Sequence, residues 1–401
     1  MSEQSFTISV PDAQLDLLKR KLELTRLPDE LEGAGWDYGV PRADVERILG
    51  RWKDGYDWRA EEAALNKDLP MFTRDIAVEG HGPLNVHYVH QKSAVAGAIP
   101  LLFVHGWPGS FIEVRKILPL LVTPDDSTAP AFHLVALGLP GYGFSKAAKK
   151  PGFGPNQMAE TGHKLMLALG YDEYVCQGGD WGALITMIIA HTYGPKYAKA
   201  WHTNLPEQVA PSGVDEQSYS ERDRAALERK EQFMETGSGY MREQSTKPQT
   251  LGFSLSDSPV GLLAWIYEKL VEWTDAYAWT DDEVLTWISI YWFSRAGPTA
   301  STRLYYEARV QGYFESQKRS QALLPALEIK VPVGLSFFPK ELIPAPESWI
   351  SPHGEVAQAV QHERGGHFAA YEVPELLVDD LRKMFGKDGP AYGVVKSHDG
   401  Y

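Results

Sequence analysis

Residues 174–190 read Tyr174-Val-Cys-Gln-Gly-Gly-Asp-Trp-Gly-Ala-Leu-Ile-Thr-Met-Ile-Ile-Ala190. Tyr174, Val175 and Cys176 suit a short buried strand, and Leu184–Ala190 suits the start of a buried helix. Between them, Gly178 and Gly182 flank Asp180 at two residues on either side. That small-x-nucleophile-x-small spacing is the nucleophile elbow, a strained turn that pushes one side chain out at the top of a sheet. Glycine is required because a Cβ there would collide with the adjoining strand or helix. The same letters also fit a plain turn closed by an Asx bond. The remainder of the chain has to decide between them.

The residue at the elbow is a carboxylate, and this sets the chemistry. Serine attacking a saturated carbon would leave an ether that water cannot cleave. A carboxylate attacking the same carbon leaves an ester, which activated water can hydrolyse at the protein's own carbonyl carbon. An elbow Asp therefore points to electrophiles at sp³ carbon, such as epoxides or alkyl halides.

Outward from the elbow, strands and helices alternate. Ile99–Val104 and Phe132–Leu137 are continuous apolar runs, as expected of strands buried on both faces. The first runs into His105-Gly-Trp-Pro-Gly-Ser110 before a helix carrying Val114, Ile117 and Leu118; the second runs into Gly138–Ser145. A helix near Met158–Leu169 leads to the elbow strand. Phe72–Val78 and Leu84–His90 alternate around Glu79-Gly-His-Gly-Pro83, predicting a hairpin. Later, Val331–Phe338 and a stretch near Val356–Val360 return to strand character, and Pro374–Met384 reads as a closing helix. The pattern predicts a mostly parallel, doubly wound α/β sheet, whose ligand site lies outside the carboxyl ends of its strands. His105–Ser110, Gly138–Ser145 and Asp180 all fall at such ends.

Two segments do not read as sheet. Residues 1–75 predict a helical arm: Leu15, Leu18 and Leu22 recur at helical spacing and continue into Leu24, and Pro41 opens a helix carrying Val45, Ile48, Leu49 and Trp52. Residues 207–320 predict a helical lid, with an N-cap at Ser258 and capping-box spacing at Thr280–Glu283. The expected division is arm 1–75, core 76–206, lid 207–320, core 321–390 and a tail 391–401. The Gly-rich stretch from Lys387 carries no strong pattern and is expected to be mobile.

Composition excludes several classes. A formal net charge of −14 would repel nucleic acid and anionic membranes. The single cysteine, Cys176, allows neither an intrachain disulfide nor a cysteine-based metal site. No apolar run reaches the ~18 residues of a membrane span and no signal pattern opens the chain, so a cytoplasmic protein is expected.

An elbow hydrolase needs a histidine base and an acid, in the chain order nucleophile, acid, histidine. The histidines after Asp180 are His191, His202, His353, His362, His367 and His398. His367 stands in the Gly365-Gly-His-Phe368 loop, between the last strand and the last helix, and is the candidate base. An imidazole with an ordinary pKa of about 6.5 suits proton abstraction from water. Glu341, at the end of the Val331–Phe338 strand, is the first choice of acid, with Glu347 and Glu363 as alternatives. The oxyanion needs two backbone donors, expected from Trp181 and from Trp107 in the loop after the third strand.

Taken together, these residues resemble the microsomal-type epoxide hydrolases, α/β-hydrolases with a helical N-terminal arm that occur as soluble enzymes in fungi and bacteria. The resemblance covers nearly the whole chain. It is carried by Tyr56-Asp-Trp-Arg, Leu65-Asn66, His105-Gly-Trp-Pro-Gly109, Gly179-Asp-Trp-Gly182, Phe338-Pro-Lys-Glu341 and Gly365-Gly-His-Phe368. It implies an α/β-hydrolase fold, with Asp180 as nucleophile, His367 as base and Glu341 as the acid that orients it. It also implies two lid tyrosines that grip the epoxide oxygen: Tyr240 in Gly239–Pro248, and Tyr305 in Arg303-Leu-Tyr-Tyr-Glu307, which stands two residues before a glutamate as the family's tyrosine does, with Tyr306 as the lesser alternative. The implied substrate is a small-molecule epoxide, with no metal or organic cofactor, and a lid-mediated homodimer is expected.

Two other readings use the same residues. A haloalkane or haloacid dehalogenase also has an elbow Asp, but needs halide-stabilising donors, often Trp or Asn, in place of a tyrosine pair. The 12 tryptophans leave that route open. A catalytically silent binding protein of the same fold would be expected to lack Asp180, Glu341 or His367, and none is missing.

Overall fold

The structure is a computed structural model that describes residues 3–206, 217, 219–313, 327–346, 349 and 354–401. Its first residues already join the sheet. Strand β1 (Gln4–Ser5) pairs antiparallel with β2 (Met71–Val78), which pairs with β3 (Gly82–Gln91) as the expected hairpin. Between β1 and β2 stand the arm helices α1 (Asp12–Glu23), α2 (Arg42–Asp54) and α3 (Trp58–Asp68). The sheet therefore takes up the chain at Met71, before the boundary expected at residue 75.

The apolar stripes bury as read, with one exception. Val45, Ile48, Leu49 and Trp52 form the buried face of α2, and Leu18 and Leu22 that of α1. Leu24 is 83% exposed. It is the C-cap of α1, past the last helical position, so its side chain has left the stripe. The arm is locked at its base by Asn66, whose side chain accepts from Ile8 N–H at 2.8 Å and donates to Ile8 C=O at 2.9 Å.

The remaining strands are β4 (Ile99–Val104), β5 (Phe132–Leu137), β6 (Tyr174–Gly178), β7 (Ala198–Thr203), β8 (Ile329–Phe337) and β9 (Gly354–Gln361). With the first three they form one sheet in the order β1-β2-β3-β5-β4-β6-β7-β8-β9, parallel from β5 onward. Every residue of β4, β5 and β6 is buried. Helices cover both faces, so each Leu, Val or Phe there contributes about 1.5–3 kcal/mol of apolar burial. The connections run through α4 (Ile117–Val122), α5 (Pro155–Ala168) and α6 (Trp181–Tyr193). A 3₁₀ turn over Phe111–Arg115 precedes α4, so the helix expected through Val114 and Ile117 is split in two.

The chain leaves β4 on one side to form β5 and returns on the other to form β6. That reversal is the switch point at which an open α/β sheet gathers its ligand.

After β7 come the lid helices α7 (Glu221–Gln232), α8 (Gly239–Thr246), α9 (Pro248–Asp257), α10 (Pro259–Glu272), α11 (Asp281–Trp292) and α12 (Arg303–Val310). Ser258 and Thr280 cap as expected, accepting from Gly261 N–H at 2.9 Å and Glu283 N–H at 3.2 Å. Both ends of the expected lid, 207–216 and 314–320, lie outside the described residues, as do 321–326 of the second core segment. Helices α13 (Ala369–Glu372) and α14 (Pro374–Phe385) follow β9. The tail is docked, contrary to expectation. Ala391 and Val395 are buried, and Gly400 exchanges backbone hydrogen bonds with Gly97 and Ala131. Lys396 N–H also donates to Glu173 at 2.8 Å and Tyr401 Oη to Thr128 C=O at 3.0 Å, polar anchors that no apolar pattern announces. Among the described residues, no helix is long and apolar enough to cross a membrane.

Candidate active site

Asp180 sits between β6 and α6 with φ +50° and ψ −131°, one of three non-glycine residues in the left-handed region among those described. Such a backbone costs on the order of 1–3 kcal/mol and persists only where packing enforces it. The packing is tight. A Cβ on Gly182 would stand 1.9 Å from Val104 C=O, and one on Gly106 would stand 2.0 Å from Asp180 Oδ1. The first glycine lets α6 press against the end of β4; the second lets the loop after β4 close over the carboxylate.

That closure sets the donors. Trp107 N–H donates to Asp180 Oδ1 at 2.6 Å, and Trp181 is the first residue of α6. The lid holds the Trp107 loop from above: Trp287 Nε1 donates to Pro108 C=O at 2.5 Å, and Tyr291 Oη to Gly109 C=O at 2.7 Å. Both donors belong to α11, and the arm braces α11 in turn. Arg51 forks onto Asp282 with two contacts of 2.7 Å, Arg47 pairs with Asp281, and Tyr56 Oη lies 3.0 Å from Thr286 Oγ1. Arm, lid and loop thus form one chain of contacts ending at the carboxylate.

His367 and Glu341 meet on the other side. His367 Nδ1 lies 2.5 Å from Glu341 Oε1, which also accepts Leu342 N–H at 2.7 Å. His367 Nε2 lies 3.4 Å from Asp180 Oδ2. The two loops are tied by Lys340 N–H on Gly365 C=O, and His367 N–H donates to Trp273 C=O. Arg229 of α7 grips the acid loop from the lid, donating to Glu341 C=O at 2.7 Å and Lys340 C=O at 2.8 Å.

Burial by itself would lower the imidazole pKa. The Glu341 charge, the hydrogen bonds to Asp180 and Glu341 and the Asp180 charge outweigh it and raise the value to about 10. At neutral pH the resting ring is an imidazolium held between two carboxylates. Glu341→Gln removes the leading charge that raises it, so His367 is expected to titrate at lower pH than in the parent. Histidine NMR checks this; an unmoved titration would mean that Glu341 does not govern the ring.

The other candidates are elsewhere. His362 pairs with Asp380 at 2.6 Å in a buried cluster with Ser336 and His202. His191 contacts Glu328 C=O and His398 contacts Ala98 C=O. Glu363 is 92% exposed at its side chain and pairs with Arg222. His353 and Glu347 lie outside the described residues.

Tyr240 of α8 and Tyr305 of α12 are both buried opposite the carboxylate. Tyr240 stacks on Trp107 at 5.1 Å between centroids, and Tyr305 meets Trp107 and Trp181 edge-on at 5.8 and 4.8 Å. The two rings are 5.9 Å apart. Burial first, then the Asp180 charge for Tyr240 and the Tyr240 and Asp180 charges for Tyr305, push both phenols well above their ordinary pKa. Both are therefore neutral phenols at pH 7. Tyr306 is turned outward, 37% exposed, with Arg309 over its ring at 5.1 Å. The structure brings Asp180, His367, Glu341, Tyr240, Tyr305 and the two backbone positions together and leaves Tyr306 out.

Two neighbours escaped the sequence reading. Trp273 packs on Tyr240 at 5.2 Å and on His367 at 5.1 Å, walling the site between lid and sheet. Glu113 is buried beside Asp180 and His367. Its signal was a lone carboxylate inside the apolar run Phe111-Ile-Glu-Val114.

Comparison with known proteins bears on this geometry. The family description "epoxide hydrolase N terminus" matches residues 3–114, and "alpha/beta hydrolase fold" matches residues 99–239. Epoxide hydrolase 1 of Sus scrofa is 36% identical, over 96% of this chain and 89% of that protein. The solved epoxide hydrolase of Aspergillus niger is 36% identical, with a TM-score of 0.83 and 95% of each chain covered. The juvenile hormone epoxide hydrolase of Bombyx mori is 31% identical, with a TM-score of 0.84, over 95% of this chain and 93% of that one.

Proposed function

Because the chain belongs to the epoxide hydrolase family of α/β-hydrolases, we propose that it opens epoxides to vicinal diols through a covalent ester on Asp180. The observation that carries the mechanism is the convergence on one carboxylate. Asp180 Oδ1 is tied to the Trp107 amide, and Oδ2 faces His367.

Oδ2 is then the oxygen that attacks a ring carbon, since Oδ1 is anchored where the ester carbonyl will be. The ring C–O bond breaks, and its electron pair leaves on the oxygen. Tyr240 and Tyr305 hydrogen-bond that oxygen, and one of them protonates it, as expected of neutral phenols in a dry site. Esterification removes the Asp180 charge that helps keep His367 protonated, so at this stage the ring gives up its proton more readily, and that proton restores the phenol that protonated the epoxide oxygen. Neutral His367 takes a proton from water, the hydroxide adds to Asp180 Cγ, and the oxyanion rests on the amides of Trp107 and Trp181. Collapse expels the diol oxygen, which takes its proton from the imidazolium, and the proton left on the Asp180 carboxyl returns to His367, restoring the resting pair. Glu341 holds the imidazole tautomer and steadies the imidazolium. The same proposal places the enzyme in the cytoplasm as a homodimer, readings that rest on the sequence alone.

A single turnover of excess enzyme in ¹⁸O-water tests the ester. An unlabelled first diol supports attack by Asp180; a labelled one means that water opened the ring directly, and the ester is wrong. The tyrosine roles have their own readout. Tyr240→Phe with Tyr305→Phe is expected to slow ester formation by about 10²–10⁴-fold while sparing ester hydrolysis. Stopped-flow kinetics separate the two steps, and an unchanged first step would remove the phenols from the mechanism.

A further inference from the structure

Beside the nucleophile is a small, partly open pocket with about 10 Å³ of room, the least that holds one water. Its lining includes Asp180, His367, Gly109, Asn204, Phe368 and Glu113. A water needs two or more polar partners to stay in so small a space, and the imidazole supplies one. The second carboxyl in the lining is Glu113, which comes from the 3₁₀ turn that follows the Trp107 loop.

The turn has been shaped to admit this group. Glu113 Oε1 lies 1.6 Å from the point where a Cβ on Gly109 would stand, so any residue but glycine at 109 would evict the carboxyl. Among the described residues no Lys or Arg forms an ion pair with Glu113; the positive charge acting on it is that of His367. Burial above all, helped by the Asp180 charge, raises its pKa to about 8. That shift favours the neutral carboxyl near pH 7. The neutral form leaves the role of base to the histidine, and its carbonyl oxygen still accepts a hydrogen bond.

We propose that Glu113 is a positioning residue for the hydrolytic water, accepting one of its hydrogens while His367 takes the other as the oxygen adds to Asp180 Cγ. The inference rests on the ester mechanism above. It gives the loop after β4 two tasks: its Trp107 amide stabilises the oxyanion, and its following turn aims the nucleophile that produces it. A bland alternative is that Glu113 only completes the fold of its own turn.

The two readings separate when ester formation and ester hydrolysis are timed individually, with the intact-protein mass reporting the ester. Glu113→Leu keeps the bulk and removes the acceptor. It is expected to slow hydrolysis by about 10²-fold, the scale of losing placement of a reacting atom, and to change ester formation by less than about threefold. Glu113→Asp, which withdraws the carboxyl by one methylene without emptying the site of polarity, should show the same split. Glu113→Gln restores an acceptor oxygen at the original reach and should recover most of the rate. Hydrolysis at the parental rate in Leu and Asp would overturn the proposal, and so would an equal loss in both steps, the mark of a structural role. If the parent enzyme itself forms no ester, the mechanism falls and Glu113 falls with it.

Discussion

Asp180→Asn is expected to lower kcat/KM by at least about 10⁴-fold, the scale on which an enzyme loses its covalent nucleophile. The amide is nearly the same shape as the carboxylate, and its oxygen can still accept Trp107 N–H, now at 2.6 Å from Oδ1. The elbow is held by Gly182 against Val104 and by Gly106 against the side chain; the substitution leaves the first contact alone and keeps the shape that meets the second. The far-UV circular dichroism should therefore match the parent, and the loss should lie in chemistry. An uncharged amide is a poor nucleophile toward saturated carbon, so no substrate adduct should appear in the intact-protein mass. The competing route, in which His367 activates water to open the ring directly, needs no carboxylate nucleophile. Asn at 180 retaining a tenth of the parental activity would favour that route.

Much of this site was legible because the decisive constraints are local. Asp180 was found from glycines two residues away on either side, and a strained turn can be read from its immediate neighbours. His367 was found from its glycine-flanked loop and its place after the last strand. What escaped depends on contacts between distant segments. Arg229 clamps the acid loop from 112 residues away, and Arg51 reaches Asp282 across 231. Nothing in an exposed-looking arginine announces its partner. Strand β1 is two residues long, too short for alternation to register, and it forms only because β2 offers an edge. Tyr305 and Tyr306 are adjacent, and helix geometry turns the first inward and the second outward; the sequence favoured Tyr305 only by its spacing to Glu307 and kept Tyr306 as an alternative, since the phase of α12 was not readable. Glu113 shows the reverse case. A carboxylate in an apolar run is a visible anomaly, but its meaning appears only when the pocket beside it is known.

On the proposed mechanism, the arm gains a function from the same contacts. A helical arm packed on a catalytic core can be mere bulk, but here its arginines end on the first turn of α11. The same helix, one to two turns on, carries the tryptophan and tyrosine that hold Pro108 and Gly109. The loop after β4, to which the proposed mechanism assigns an oxyanion donor, is thereby fixed from the lid side as well as from the sheet. A preorganised donor is worth most when it need not move during reaction, and the arm adds to that rigidity without touching the carboxylate.

His367→Gln is expected to stop the cycle halfway. Ring opening needs the Asp180 carboxylate and the two phenols, none of which the substitution removes, so one equivalent of epoxide should still add to the protein. Water then has no base. Steady-state turnover should fall by about 10⁴-fold or more, the loss seen when the base of a nucleophile–base pair is deleted, while the intact-protein mass rises by the full mass of the epoxide and stays there. The contrast with Asp180→Asn makes the pair decisive: both variants are inactive, and only the histidine variant carries an adduct. The direction also follows from the charges. In the resting enzyme the imidazolium lies 3.4 Å from Oδ2 and dampens that oxygen as a nucleophile, so its removal should not slow the first step. An inactive His367→Gln enzyme without an adduct would mean that the histidine is needed to open the ring, and the division of labour between Asp180 and His367 would have to be abandoned.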